Sequence, residues 1–339
     1  MRTIRSGPQT RARTADIMQH TYHRAAVELR KARSVVVCSH VKPDGDAIGS
    51  VLALTLALRD LGVAAVPTLA DDAPPPSTYS FLPGFSLFVP AEDLEPARVF
   101  VALDTPNPER LGRAADLMAA SDLTIVCDHH PDNISFGDVN IVDPAAAASG
   151  QMVWRILESL DYTPTADVAL CCWVALTTDT GRFAYSNTSP EALRDGAAML
   201  EAGVDPAESH RLVYEDRSHA SIVLEGRVVG RLTLANEGRV AYSWVDDADY
   251  DDTGASPAET EHLIDALRRL GGIDVAVLFR RHSESVRVNL RSKSGFDVGV
   301  VSRRFGGGGH APAAGFTYDG SFDSLLPALL SVLPGGDSV

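Results

Sequence analysis

Apolar and polar positions follow two different rhythms in the first half of the chain. Short runs rich in Val, Ile and Leu alternate with stretches in which apolar residues recur at helical spacing. That is the pattern of a parallel sheet covered by helices on both faces. Ser34 to Cys38 reads as a buried strand. From Asp46 to Leu61, the positions Ile48, Val51, Leu52, Thr55 and Leu58 share a helical face, and Gly62 supplies a stop. Val63 to Leu69 is the next expected strand, and Asp71 to Pro76 is a turn-rich break. Val99 to Leu103 and Leu123 to Cys127 are two more strands, each ending abruptly in polar residues. Helices are expected over Ser149 to Leu160, with Trp154 in the core, and over Thr165 to Thr178, with Trp173 in the core.

From Pro190 to about Ser218 the pattern is helical and reads as a connector. Beyond it, Arg227 to Ala235 and Arg239 to Val245 are expected as paired strands, and Pro257 to Leu270 as an amphipathic helix closed by Gly271 and Gly272. Ile273 to Arg281 and Ser285 to Arg291 form another expected strand pair, and the acidic run Asp246 to Asp252 reads as a solvated loop. The fold class is therefore α/β. A parallel-sheet domain spans residues 18–195, a helical linker 196–220, and a smaller α+β domain 221–335.

A length of 339 residues suits two domains. With 30 Lys and Arg against 45 Asp and Glu the net charge is −15, which disfavours a long nucleic-acid duplex as partner but not a short strand. Apolar stretches such as Ala47 to Leu58 stop short of the ~20 residues of a membrane span, so no membrane partner is expected. Arg2, Arg5, Arg11 and Arg13 lie in a segment without the apolar core of a secretory signal, read as a loose extension; cytoplasmic residence is the default. Cys38, Cys127, Cys171 and Cys172 show neither metal-type spacing nor a disulfide framework and read as buried thiols.

Acidic and imidazole groups follow the expected elements closely. His40, Asp44 and Asp46 come after the first strand, Asp104 after the third, Asp128, His129 and His130 after the fourth, and Asp179 after a helix. Strand ends in an open parallel sheet converge on one edge, so five carboxylates and three imidazoles are expected to share a crevice. So much negative charge would cost several kcal/mol without counter-ions, and two divalent cations are the simplest solution. Carboxylate oxygens with a few imidazoles suit manganese or magnesium, manganese first. Further on, the entropy cost of glycine argues against helix or strand at Gly306, Gly307, Gly308 and Gly309. Their amides read instead as a nest around an anion, with His310 adding a donor.

The segments SHVKPDGDAIGS, VALDTPNPERLG, CDHH and TTDTGRF, in that order, resemble the four motifs of the DHH phosphoesterase family, and FGGGGHAPAAGF resembles the glycine motif of its associated C-terminal domain. The resemblance spans Val35 to Phe316 and is nearest to the oligoribonuclease and pAp phosphatase subfamily. It implies that His40, Asp44 and Asp104 hold one metal and that Asp46, Asp104, His129 and Asp179 hold the other, with Asp104 bridging. It implies that His130 faces the substrate phosphate and that Asp128 orients the neighbouring imidazoles. Arg291, in the context NLRSKSG, resembles the family's substrate-contacting arginine, and Lys293, Arg303 and Arg304 could extend that patch.

The activity so implied is hydrolysis of short oligoribonucleotides to 5′-mononucleotides, and of 3′-phosphoadenosine 5′-phosphate (pAp) to AMP, by a water activated between two metals. The metals would sit on one domain and the substrate's remote phosphate on the other. A homodimer is implied by the family alone. Phe183 and Tyr185 read as core or lip residues. Competing readings are a cyclic di-AMP or pApA phosphodiesterase, an inorganic pyrophosphatase, and a non-catalytic nucleotide- or RNA-binding sensor.

Overall fold

The computed structural model describes residues 8–72, 74–260 and 262–336. The chain divides between Val213 and Tyr214 into two units. In chain order the first contains α1 (Pro8–Lys31), β1 (Ser34–Cys38), α2 (Gly45–Asp60), β2 (Ala64–Pro67), β3 (Val99–Leu103), α3 (Ala115–Ala119), β4 (Leu123–Asp128), β5 (Val139–Val142), α4 (Ser149–Ser159), α5 (Ala166–Asp179), α6 (Pro190–Glu201) and α7 (Pro206–His210). The second contains α8 (His219–Gly230), β6 (Thr233–Ala235), β7 (Val240–Asp246), α9 (Asp247–Thr253), α10 (Leu263–Arg268), β8 (Val275–Arg281), β9 (Ser285–Ser292), α11 (Val298–Arg304), β10 (Gly308–Gly309), β11 (Ala313–Asp319) and α12 (Phe322–Ser331).

The first sheet is wholly parallel, in the order β2-β1-β3-β4-β5. After β1 the chain moves outward to β2, then crosses back to β3 on the other side. The carboxyl ends of β1 and β3 thus flank a topological switch point, the usual place for a ligand in such a sheet. Side-chain alternation separates two cores. Val35, Val37, Val99, Val101 and Leu103 join the core built with α2, α4 and α5, while Val36, Cys38, Phe100 and Ala102 pack on the opposite face. All four cysteines are free and buried, as expected. Trp154 is buried, whereas Trp173 is half-buried; its indole N–H donates to Ser209 Oγ and its ring lies 5.6 Å from that of Phe183.

The second unit has a mixed sheet, β10-β11-β9-β8-β7-β6, in which only β7 and β8 run parallel. One face packs on α11 and α12 through Val277, Phe279, Val288 and Leu290; the other packs on α8 and α10 through Ala276 and Leu278.

Several expectations are corrected. Arg11 and Arg13 belong to α1 rather than to a loose extension, while Arg2 and Arg5 lie outside the described residues. β5 has no counterpart among the expected strands. Residues 227–230 are helical because Leu224 and Val228, one turn apart, bury the inner face of α8, and only Thr233–Ala235 pairs with β7. The helix expected from Pro257 is a 3-10 turn followed by the short α10. The acidic run is not a loop but α9, started by a capping box between Asp246 and Asp249. Asp249 is buried against the Arg231 guanidinium, which holds its carboxyl below the ordinary range despite burial. Residues 196–213, expected in a connector, lie on the first unit's side of the division, and Met199 and Val204 are buried in its core.

Candidate metal centre and active site

Three strand ends and three helix ends meet at one rim of the first unit. β1 leads to His40, β3 to Asp104, and β4 to Asp128, His129 and His130; α2 brings Asp44 and Asp46, α4 begins at Ser149, and α5 ends at Asp179. Glycines let the helices come this close. A Cβ on Gly49 of α2 would lie 2.4 Å from the Cys171 carbonyl of α5, and one on Gly150 of α4 would lie 2.3 Å from Ala175 Cβ. Both are far inside van der Waals contact, so α2 and α4 each press on α5 nearly backbone to backbone. Asp104 is the first residue past β3, with φ of 54°, a left-handed conformation that costs an L-residue roughly 1–2 kcal/mol. Its amide nevertheless continues the ladder to Cys127 O at 3.0 Å. A strained residue held in this way marks a position the fold maintains for a purpose.

Asp46 and Asp104 are each 2% exposed. Asp46 Oδ1 accepts from Ser50 Oγ at 3.0 Å and Gly150 N at 2.8 Å, and its Oδ2 accepts from Ser149 N at 2.7 Å. A carboxylate has about four lone-pair positions, so one position on Oδ2 remains, facing His129 Nε2 at 3.6 Å. Asp104 is less committed. Its Oδ1 accepts from Ser149 Oγ at 3.1 Å and faces His129 Nε2 at 3.4 Å and His130 Nδ1 at 3.5 Å; its Oδ2 faces His40 Nε2 at 3.2 Å. Asp104 can therefore offer an oxygen to each of two neighbouring cations, whereas Asp46 can serve one.

The imidazoles are oriented to match. His40 Nδ1 lies 2.9 Å from Val41 O and His129 Nδ1 lies 3.3 Å from Ala146 O. Those nitrogens donate, which leaves both Nε2 atoms to the carboxylates or to a metal. One ligand atom each from His40, Asp44 and Asp104 falls within a 4.8 Å cluster, and Asp46, Asp104 and His129 form a second such cluster. Asp179 Oδ2 is 3.8 Å from His129 Nε2, and Asn187 Nδ2 bonds to Asp179 Oδ2 at 3.3 Å and to Ala147 O at 3.0 Å. Asp44 caps α2, its Oδ1 accepting from the amides of Asp46 and Ala47 at 3.1 Å each.

Electrostatic frustration is visible in the protonation equilibria. Burial, and then the charge of Asp104, push the Asp46 carboxyl well above its ordinary range. Burial pushes Asp179 up to about 6, with Asp44 and Asp104 adding to it and His129 opposing. Burial alone would lower His129 and His40, but hydrogen bonds to Asp104 more than offset it and hold both imidazoles above their usual value. Burial would likewise raise Asp104, yet the same two imidazoles keep it well below the carboxylate range. Protons thus occupy positions that cations would fill. Oxygen donors with two imidazole nitrogens turned toward them fit a pair of divalent cations.

His130 is set differently. Its Nδ1 lies 2.7 Å from Asp128 Oδ1, while Asp128 Oδ2 accepts from Asn133 Nδ2 at 2.6 Å. Asn133, Ser149 and Asn187 are absent from the residues that the sequence marks out. Ser149 carries a weak signal, a hydroxyl residue opening a helical pattern; the two asparagines, in polar loops, carry none.

In the second unit, the expectation for the four glycines is corrected in part. The amides of Gly306 and Gly307 are spent on the carbonyls of Arg303 and Ser302 at the end of α11, and Gly308–Gly309 form a short strand against β11. Gly307 is required by close approach, since a Cβ there would lie 2.3 Å from Gly315 O. Gly308 meets nothing within 4 Å, so packing does not explain it. The buried Ser302 hydroxyl ties Gly308 O and Gly315 O together at 3.1 and 2.7 Å. His310 turns the chain, its amide donating to Ala313 O at 2.8 Å, and Arg291 of β9 pairs with Ala313.

The DHH family, N-terminal domain, matches residues 34–176, and the DHHA1 domain matches residues 237–333. Over 288 residues the chain is 35% identical to the bifunctional oligoribonuclease and PAP phosphatase NrnA of Thermus thermophilus, covering 84% of each protein. The chain belongs to the DHH family. This DHH protein is also 30% identical over 290 residues to the Bacillus subtilis protein of the same name, covering 83% of this chain and 88% of that one. Its fold is similar to that of an exopolyphosphatase-related protein from Bacteroides fragilis, with a TM-score of 0.83 at 23% identity over 91% of this chain and 94% of that one. As a DHH protein it is a hydrolase of phosphoester bonds. Among the described residues, no helix is long and apolar enough to cross a membrane.

Proposed function

We propose that the protein hydrolyses short oligoribonucleotides to 5′-mononucleotides, and pAp to AMP, with two divalent cations held by His40, Asp44, Asp46, Asp104, His129 and Asp179. The observation that carries this reading is the pair of ligand clusters sharing Asp104, in a chain similar over most of its length to two oligoribonuclease and PAP phosphatase proteins. Bound there, two such ions supply an activated water and stabilise charge on the phosphoryl oxygens. Manganese is the first candidate, because imidazole is a poor partner for magnesium.

The protein's own residues orient and bind. Asp46 and Asp104 are held by α4, so their oxygens are placed before substrate arrives. Asp128 orients the His130 ring through Nδ1, and His130 faces the substrate phosphate. In the second unit, the open space at Gly308, two residues before His310, supports binding of a phosphate. Cleavage of an oligonucleotide to 5′-nucleotides and of pAp to AMP breaks the same bond, phosphorus to ribose 3′-oxygen, so one centre serves both.

The test is a substrate panel. Purified protein with manganese chloride is expected to release AMP from pApA and from pAp, and EDTA to abolish both reactions. Binding of these nucleotides without any turnover would sink the reading in favour of a sensor, and faster turnover of cyclic di-AMP than of either would reassign the substrate.

A further inference from the structure

Ser149 opens α4 and touches two of the buried carboxylates at once. Its amide donates to Asp46 Oδ2 at 2.7 Å and its hydroxyl to Asp104 Oδ1 at 3.1 Å; the residue has no solvent exposure. These contacts cross 103 and 45 positions of sequence, so they exist only in the folded unit. We propose that Ser149 is a positioning residue: its hydroxyl holds the plane of the Asp104 carboxylate so that one oxygen faces each ion position, and so couples the two. The inference rests on the two-ion reading above.

Asp104 has His40 Nε2 at 3.2 Å from Oδ2, and His129 Nε2 and His130 Nδ1 at 3.4 and 3.5 Å from Oδ1. These imidazoles turn toward a metal once one is bound, whereas the Ser149 hydroxyl stays on the carboxylate and holds its plane. Oδ1 is then held on the side of His129 and Oδ2 on the side of His40, so each cluster receives one oxygen. Asp46 does not depend on the hydroxyl. Its three donors are two backbone amides and Ser50 Oγ, and the amide of residue 149 remains whatever the side chain.

Ser50→Ala is therefore the matched control, removing a buried hydroxyl from Asp46 as Ser149→Ala removes one from Asp104. Manganese would be titrated into wild type and both variants and followed by calorimetry and by electron paramagnetic resonance, with thermal melting to check folding. Wild type is expected to bind two ions with the spectrum of a spin-coupled pair. Ser149→Ala is expected to weaken the second ion by roughly tenfold or more, in line with the outer contacts of metal sites, and to replace the coupled spectrum by that of separate ions. Its kcat should fall while KM stays nearly constant. Ser50→Ala should keep the coupled spectrum, and Ser149→Cys, which keeps a weak donor of similar size, should fall between wild type and Ser149→Ala. Retention of the coupled spectrum and both affinities in Ser149→Ala would overturn the inference, as would equal loss of coupling in Ser50→Ala. If Ser149→Ala does not fold, the comparison of Ser149→Cys with wild type decides. Absence of manganese binding by wild type would instead overturn the two-ion reading, and this inference with it.

Discussion

Replacing Asp179 by Asn should stabilise the metal-free protein while weakening its hold on metal. The Asp179 carboxyl is raised from an ordinary 3.8 to about 6, chiefly by burial and secondarily by Asp44 and Asp104. A gap of roughly two pH units corresponds to about 3 kcal/mol. The sign follows from where the proton binds more tightly. The folded, metal-free protein holds it more tightly than the unfolded chain, so this contribution is fully present below about pH 4 and is lost as pH rises through 6. Asp46 and His129 are raised as well and act in the same direction, whereas Asp104 is lowered, so its contribution is fully present throughout this range and is lost only at more acid pH. Between pH 5 and 7.5 the metal-free protein should therefore lose stability. A divalent ion at a hundredfold excess over its Kd restores about 3 kcal/mol per site. Asn at 179 can keep the contact with Asn187 through its oxygen but carries no charge to desolvate. Urea unfolding in EDTA at pH 4, 5, 6, 7 and 7.5 would show wild type weakening more steeply than Asp179→Asn, the two differing little at pH 4, by about half of the full effect at pH 5 and by up to about 3 kcal/mol at pH 7.5. Added manganese should then stabilise wild type more than the variant. A wild-type stability in EDTA that is flat or rises over this range, or a variant no more stable than wild type at pH 7.5, would refute the electrostatic account.

Manganese affinity, measured by calorimetry, should fall steeply as pH drops through 6, because the metal must displace the protons that Asp179 and His129 hold there. Gly307→Ala should destabilise the second unit by about 1–3 kcal/mol in a melting assay, since its Cβ would lie 2.3 Å from Gly315 O. Gly308→Ala, with open space around it, should leave the melting midpoint unchanged and raise KM for pAp. Asp104→Ala should remove turnover almost entirely, while His310→Ala should mainly raise KM; equal loss of kcat in both, at unchanged KM, would contradict this division of labour.

Legibility varies with burial. β1 and β3 can be bounded from sequence because runs such as Val35 to Val37 and Val99 to Leu103, buried on both faces of the sheet, give unbroken apolar strings. β5 escapes such a reading because it is four residues long and includes the half-exposed Asn140. The acidic run reads as a loop because its acids look solvated; Arg227 of α8, Arg231 just past it and Arg281 of β8 neutralise Asp252, Asp249 and Asp246. In the glycine segment, counting backbone entropy alone argues against a strand. Close packing against β11 outweighs that cost and makes glycine the residue that fits at Gly307 and Gly309.

By itself, the sequence determined the chemical inventory: which acids and imidazoles follow which strands, and in what order. That information is local, since strand and helix periods are set by neighbours a few residues apart. Only the tertiary structure decided how much of each carboxylate is left for a metal. The donors that use up Asp46 and steer Asp104 come from α4, and they reach the site because Gly49 and Gly150 let α2 and α4 press on α5. Contacts between groups a hundred positions apart leave no periodic trace in the chain, because they arise from packing rather than from any repeat along it.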